Sequence, residues 1–154
     1  MNETITIRRG EEEDAEVIAG FNVAMARETE GRELDPERLL AGVRAVFADP
    51  SRGRYHVARA GGRIIGSLLI TPEWSDWRNG TFWWVQSVYV DPEWRRKGIY
   101  RGLYHHVTEQ ARATEGICGV RLYVERENVI AQQVYEALGM TRTSYQLFEE
   151  DFVL

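Results

Sequence analysis

The sequence predicts one alternating α/β domain over residues 1–154, and three observations carry that prediction. Residues 85–107 read as strand, turn and helix: Val85, Val88, Tyr89 and Val90 form a β-rich run, Asp91-Pro92 stops it, and Arg95-Arg96-Lys97-Gly98 opens a segment with Ile99, Leu103 and Val107 at helical spacing. Residues 64–70 are too continuously apolar for a strand with one wet face, so they belong in the centre of a sheet covered on both sides. The rest alternates strand-like and helix-like segments without repeats, low-complexity tracts or a linker, and 154 residues is a usual size for one domain.

In chain order, residues 4–9 alternate Ile5 and Ile7 with polar side chains, as a half-buried strand does. Gly10 and the acidic run Glu11-Glu12-Glu13-Asp14 open a helix whose apolar face is expected at Val17, Ile18, Phe21 and Met25. The acids suit the positive end of its dipole and, crowded into one turn, do not converge as metal ligands would. After polar residues 28–33, Asp35-Pro36 combines an N-cap with a first-turn proline, and the second helix carries Leu39, Leu40, Val43, Val46 and Phe47 up to Asp49-Pro50. Residues 54–60 and 63–71 form a hairpin about Gly61-Gly62, a pair that tolerates the positive φ of a tight turn. A Trp-rich loop over 72–80 leads to a strand over 81–90. After the helix ending near Glu115 come a strand over 119–124, a helix over 128–138 closed by Gly139, and one or two closing strands over 141–152.

Composition bounds the function. With 44% hydrophobic and 28% charged residues the chain reads as soluble and globular. No apolar run approaches the ~20 residues of a membrane span and Met1-Asn2-Glu3 does not begin like a signal peptide, so no membrane partner is expected and the cytoplasm is the expected location. A formal charge of −5 argues against general nucleic-acid binding, whose phosphate contacts need a net basic face. Cys118, the one cysteine, excludes an intramolecular disulfide and is expected as a small buried apolar residue. His56, His105 and His106 lack metal-ligand spacing, and no metal is expected.

The first candidate site is the helix start at Ile99. Its opening amides have no intrahelical partner and the peptide dipoles add partial positive charge, so an anion is favoured there, and three adjacent cations suggest more than one phosphate. The alternative is a solvated basic loop. Neither G-x-x-x-x-G-K-[ST] nor G-x-G-x-x-G is present. Instead Arg95-Arg96-Lys97-Gly98-Ile99-Tyr100 nearly fits [QR]-x-x-G-x-[GA] directly after a V-x-V-D-P strand end, and here the chain resembles the GNAT N-acetyltransferase superfamily. The departure is Tyr100, where the family has Gly or Ala. That position should lie in the first helical turn with ordinary helical φ, so Gly98 is the stricter site.

A second block, residues 122–140, contains N-x-x-A-x-x-x-Y-x-x-x-G-[FM] and resembles the second GNAT motif without a gap. Asn128 is suited to capping its helix, and Ala131 and Tyr135, four apart, share a helical face on which the small residue leaves room for a slender ligand. The order of elements is GNAT-like over nearly the whole chain. The resemblance implies a mixed, mainly antiparallel sheet with helices on both faces, with acetyl-coenzyme A as cosubstrate. It implies pantetheine contacts at Val88, Tyr89, Val90, Asn128 and Ala131, and a pyrophosphate site built from Arg95, Arg96, Lys97, Gly98, Ile99, Tyr100 and Arg101. Tyr135 falls near the thioester sulfur, where its phenol can serve the departing thiolate.

The implied reaction is acetyl transfer to an amine by direct attack in a ternary complex. Its oxyanion needs donors, which a bulged strand near Val88 and Tyr89 offers in this family. On the acceptor side the resemblance places the connection between the first two helices, with Glu28, Glu30 and Glu33, and the loop before the fourth strand, with Glu73, Trp74, Asp76 and Trp77. Their acidity attracts a protonated amine. Gln86 is placed to orient a water, which makes a water-relayed proton path the preferred reading. Trp83 and Trp84 point to opposite faces of one strand, so at least one is core. The acceptor is then a small-molecule or peptide amine, and the resemblance leaves a homodimer open. The competing class is a domain that holds acyl-coenzyme A as sensor or scaffold without turning it over.

Overall fold

The structure is a computed structural model that describes residues 3–154; Met1 and Asn2, where the signal-peptide reading begins, lie outside the described residues. One compact unit runs through Tyr123 and a second spans Val124–Leu154.

The first unit is built on a five-stranded sheet in the order β1 (Ile5–Arg9), β2 (Arg54–Ala60), β3 (Arg63–Ser75), β4 (Gly80–Val90), β5 (Ile117–Leu122). The first three pairings are antiparallel and β4 with β5 is parallel, so the sheet is mixed and mainly antiparallel, as the sequence predicts. A parallel pair needs a crossover, and α3 (Ile99–Ala113) supplies it. Two further helices, α1 (Ala15–Glu30) and α2 (Pro36–Ala48), lie between β1 and β2 in the chain.

Alternation along β2 divides the helices between the two faces. Tyr55 and Val57 join a buried cluster with Ala15, Ile18 and Ala19 of α1 and Val43 of α2. His56, on the opposite side of the strand, meets His106 of α3 with ring centroids 5.4 Å apart. β3 is central and mostly buried. Its Gly66 lets α3 come close, since a Cβ there would lie 3.1 Å from the Tyr89 carbonyl oxygen and 3.4 Å from Ile99 Cγ2.

Local chemistry accounts for most boundaries. The Asp35 carboxylate accepts the Glu37 amide at 3.0 Å ahead of Pro36, which starts α2 where the motif predicts. Gly61 turns the β2–β3 hairpin at φ 60°. Asp14 closes a short 3-10 turn, Glu12–Asp14, with two hydrogen bonds from the Arg8 guanidinium at 2.7 and 3.1 Å, and α1 begins after it.

Four expectations are corrected. Val17 is 43% exposed, and the buried face of α1 is Ala15, Ile18, Ala19, Asn22 and Ala26. Three of those five are alanines, a stripe that packs closely on the sheet and that a search for bulky residues passes over. The Trp-rich stretch is strand up to Ser75, pairing Pro72↔Trp83 through Ser75↔Gly80, because its aromatic residues favour an extended hairpin. Cys118 is exposed, lying on β5 at the margin of the sheet.

The fourth correction falls in the second unit. Its helix α4 (Val129–Ala137) is capped by the Asn128 side chain, which accepts the Ala131 amide at 3.1 Å. Gly139 follows at φ 93°. Residues 141–152 form no strand. Within this stretch a local side chain takes an amide that a ladder would use, Thr143 Oγ1 accepting from Tyr145 at 3.3 Å, and at its end Asp151 Oδ1 accepts from the Val153 and Leu154 amides at 2.7 and 2.8 Å. Among the described residues, no helix is long and apolar enough to cross a membrane.

The buried His56 gives the fold a pH dependence. It is 1% exposed, and among the described residues neither ring nitrogen has a hydrogen-bond partner. Burial, reinforced by His106, Arg54 and Arg9, pushes its pKa from 6.5 down to about 4. The unfolded chain therefore binds this proton first, and stability present above pH 6.5 should fall by on the order of 3 kcal/mol as pH drops toward 4. His106, also lowered by burial, acts in the same direction. Urea melts between pH 7 and 4.5 should display this loss, and His56→Leu should remove most of it.

Candidate active site

The site starts from a misfit in the β3–β4 ladder. Ser67 pairs with Tyr89 and Leu69 with Gln86, so Leu68 faces both Ser87 and Val88. This is a bulge, and Ser87 accommodates it at φ 53°, a region that non-glycine residues seldom adopt. Before the bulge Phe82, Trp84 and Gln86 share the face turned toward α1 and α2; after it Tyr89 takes that face. The Tyr89 ring accordingly lies 5.1 Å from that of Phe21 on α1.

Beyond Val90 the chain is fastened and then turned. The Asp91 amide donates to the Ile65 carbonyl at 2.8 Å, while its carboxylate accepts from the Glu93 amide at 3.0 Å and from Arg63 at 2.6 Å. A 3-10 turn, Pro92–Trp94, leads into the basic run, where Arg96 (φ 64°) and Gly98 (φ 79°) are both left-handed. Gly98 is the N-cap of α3, and the helical ladder opens with the Gly102 amide on the Gly98 carbonyl at 2.9 Å. The amides before Gly102 have no acceptor within the helix. Tyr100 is inside the first turn, as expected for a position where a side chain other than Gly or Ala is tolerated, with its ring 6.4 Å from Tyr104.

Arg96, Lys97 and Arg101 are exposed, and among the described residues none has a carboxylate partner. The Lys97 ammonium stands 4.9 Å from the Trp94 ring centre. Left-handed backbone at Arg96 and Gly98, the amides of the helix start and cations without a carboxylate partner fall in one turn, a donor set whose chemistry suits an anion such as a pyrophosphate.

Arg95 is engaged elsewhere. Its Nε donates to the Val90 carbonyl at 3.0 Å and its NH2 to Glu28 Oε2 at 2.8 Å, while the Tyr89 hydroxyl donates to Glu28 Oε1 at 3.0 Å. The Arg95 hydrogen bond holds the Glu28 carboxyl below its ordinary range. Burial, then the bond to Glu28, raises the Tyr89 hydroxyl above its own.

The structure thus brings together Val88, Tyr89, Val90, the run from Arg95 to Arg101 and, unexpectedly, Glu28, which lies in α1 rather than in the connection after it. Glu30 is the exposed last residue of α1, and Glu33 accepts from Arg27 Nε at 2.8 and 3.0 Å. Trp74 is 62% exposed near the end of β3. Gln86 donates to Thr71 Oγ1 at 2.8 Å, and Glu73 accepts from Arg121 at 2.6 Å. Trp83 is the buried tryptophan of its pair, and Trp84 stacks on Tyr123 at 4.4 Å. Asn128, Ala131 and Tyr135 lie together on the N-cap and body of α4, within the second unit.

The bulge residue Ser87 is absent from the sequence-based set. A small polar residue next to Gln86, between Val85 and Val88, is its one signal.

The family model for the acetyltransferase (GNAT) family matches residues 15–140. The chain belongs to the GNAT family. A possible acetyltransferase from Clostridium difficile 630 is 44% identical, with a TM-score of 0.90 over 99% of this chain and 100% of that one. At 18% identity, a predicted acetyltransferase with acetyl-CoA from Clostridium acetobutylicum shares the GNAT fold, with a TM-score of 0.77 over 96% of each chain. The mycothiol acetyltransferase of Kocuria rhizophila is 40% identical over 62 residues, 38% of this chain and 19% of that protein, so the match spans about a fifth of the relative's length.

The left-handed Ser87 makes the bulge testable. Ser87→Val should destabilise the fold by about 1–2 kcal/mol, because a β-branched residue resists positive φ, whereas Ser87→Gly should be neutral or stabilising. Denaturant midpoints at constant slope measure the difference.

Proposed function

We propose that residues 1–154 act as one cytoplasmic N-acetyltransferase domain that moves an acetyl group from acetyl-coenzyme A to a small-molecule or peptide amine. The observation that carries this reading is the continuity of the β4 bulge, the left-handed basic turn and the start of α3 within one strand–turn–helix. Amides and cations from Arg96 to Arg101 bind the pyrophosphate. Val88, Tyr89 and Val90 run beside the pantetheine arm, with Asn128 and Ala131 assigned to the same arm by likeness to the family motif.

Coenzyme A supplies the activated acyl thioester; the residues supply position and protons. The amine must lose its proton to attack, and water oriented by Gln86 carries that proton away. As the C–N bond forms, backbone amides at Val88 and Tyr89 stabilise the carbonyl oxygen, as donors fixed in advance do best. As the C–S bond breaks, the Tyr135 hydroxyl gives its proton to the departing sulfur. Attack is direct, without a covalent enzyme intermediate. Glu30, Glu33 and Trp74 draw in and hold the cationic amine. The similarity to a mycothiol acetyltransferase supports acetyl transfer as the reaction class.

Thiol release from acetyl-coenzyme A, measured against a panel of amines, tests the proposal. Release that depends on one amine class supports it, and tight binding with no release to any amine indicates a scaffold. Gly98→Val forces a branched side chain into a left-handed site and should weaken coenzyme A binding at least ~10-fold in calorimetry. Tyr135→Phe should lower turnover roughly 10²-fold while leaving coenzyme affinity nearly intact. Unchanged turnover, with chemistry rate-limiting, would leave Tyr135 as packing.

A further inference from the structure

We infer that Glu28 is a positioning residue for the coenzyme turn and that Arg95, first in the basic run, is held by it and does not bind phosphate. The inference rests on the coenzyme reading above. Arg95 commits two guanidinium nitrogens to acceptors of the protein itself, Nε on the Val90 carbonyl at 3.0 Å and NH2 on Glu28 at 2.8 Å, and its guanidinium carbon lies 5.3 Å from the Tyr89 ring centre. Glu28 meets it with one oxygen and takes the Tyr89 hydroxyl at 3.0 Å with the other.

One carboxylate therefore joins Tyr89, just past the bulge, to Arg95, which begins the basic run, bridging the reversal between positions 89 and 95. The same contact anchors both to the last turn of α1. Moving Arg95 toward a phosphate would break two charge-assisted hydrogen bonds and leave the Glu28 carboxylate unneutralised beside an anion. Arg96, Lys97 and Arg101 need no such release. A fork also suits this task in a way that an ammonium does not, because neighbouring nitrogens must reach a carbonyl and a carboxylate at once.

The two assignments predict opposite signs for Glu28→Gln. If Arg95 were a phosphate ligand, removing its carboxylate partner would free a positive charge and coenzyme A would bind as tightly as before or more tightly. If Glu28 positions the turn, coenzyme A should bind roughly 5- to 10-fold more weakly, Arg95→Gln should lose a similar factor, and the double variant little more than either alone, as for two residues of one unit. Tyr89→Phe, which keeps the ring and deletes the hydroxyl, should show part of the loss.

Glu28 and Arg95 side chains are 40% and 44% exposed, so the variants should fold with little change in melting temperature. Calorimetric titration of wild type and variants with coenzyme A reads the result. A coupled loss supports the assignment. Unchanged or tighter binding by Glu28→Gln, or losses that add in the double variant, overturns it while leaving the coenzyme reading intact. Wild type that does not bind coenzyme A overturns that reading itself, and this inference with it.

Discussion

The extra residue of β4 opposite Leu68, where Ser87 and Val88 stand against one residue of β3, reverses the faces presented by every later residue of β4. Without the extra residue Val88 would turn toward α1 and Tyr89 toward α3. With it, Tyr89 reaches Glu28 and Phe21, and Glu28 in turn reaches Arg95. The whole approach to the basic turn depends on a count of residues opposite Leu68. A bulge bends its strand and leaves part of the ladder unpaired.

Charge is distributed around this turn with some economy. Arg63 and Arg95 are tied to Asp91 and Glu28, and each of these pairs fixes backbone geometry. The following cations carry no such task among the described residues. Similar-looking basic residues within a few positions thus divide between holding the loop and facing solvent. Further along the sheet Arg121 is likewise committed, placed 3.6 Å from the Phe82 ring centre and bonded to Glu73.

Much of this was legible in the residues because the information is local. Asp35-Pro36, Gly61-Gly62, Asp91-Pro92, Gly98 and Asn128 each impose a backbone outcome on their neighbours, and each sits where its chemistry predicts. The pairing of Glu28 with Arg95 was not legible, since it joins positions 67 apart through a register shift that no periodicity reveals. The alanine face of α1 escaped for a different reason: close packing can be achieved by removing bulk as well as by adding it. Residues 141–152 alternate enough to resemble strands, yet alternation names a face and does not supply a partner.

Gly98 and Arg96 occupy the same mirror-image region of backbone space, two residues apart. A Cβ on Gly98 would have no heavy atom within 4 Å, so size is not what position 98 selects. It selects handedness. A D-amino acid would satisfy it as well as glycine does, and among the genetically encoded residues asparagine comes nearest. Arg96 meets the same chiral demand with an ordinary L side chain and bears the conformational cost, which places a long cation at the turn where an achiral residue would have left none.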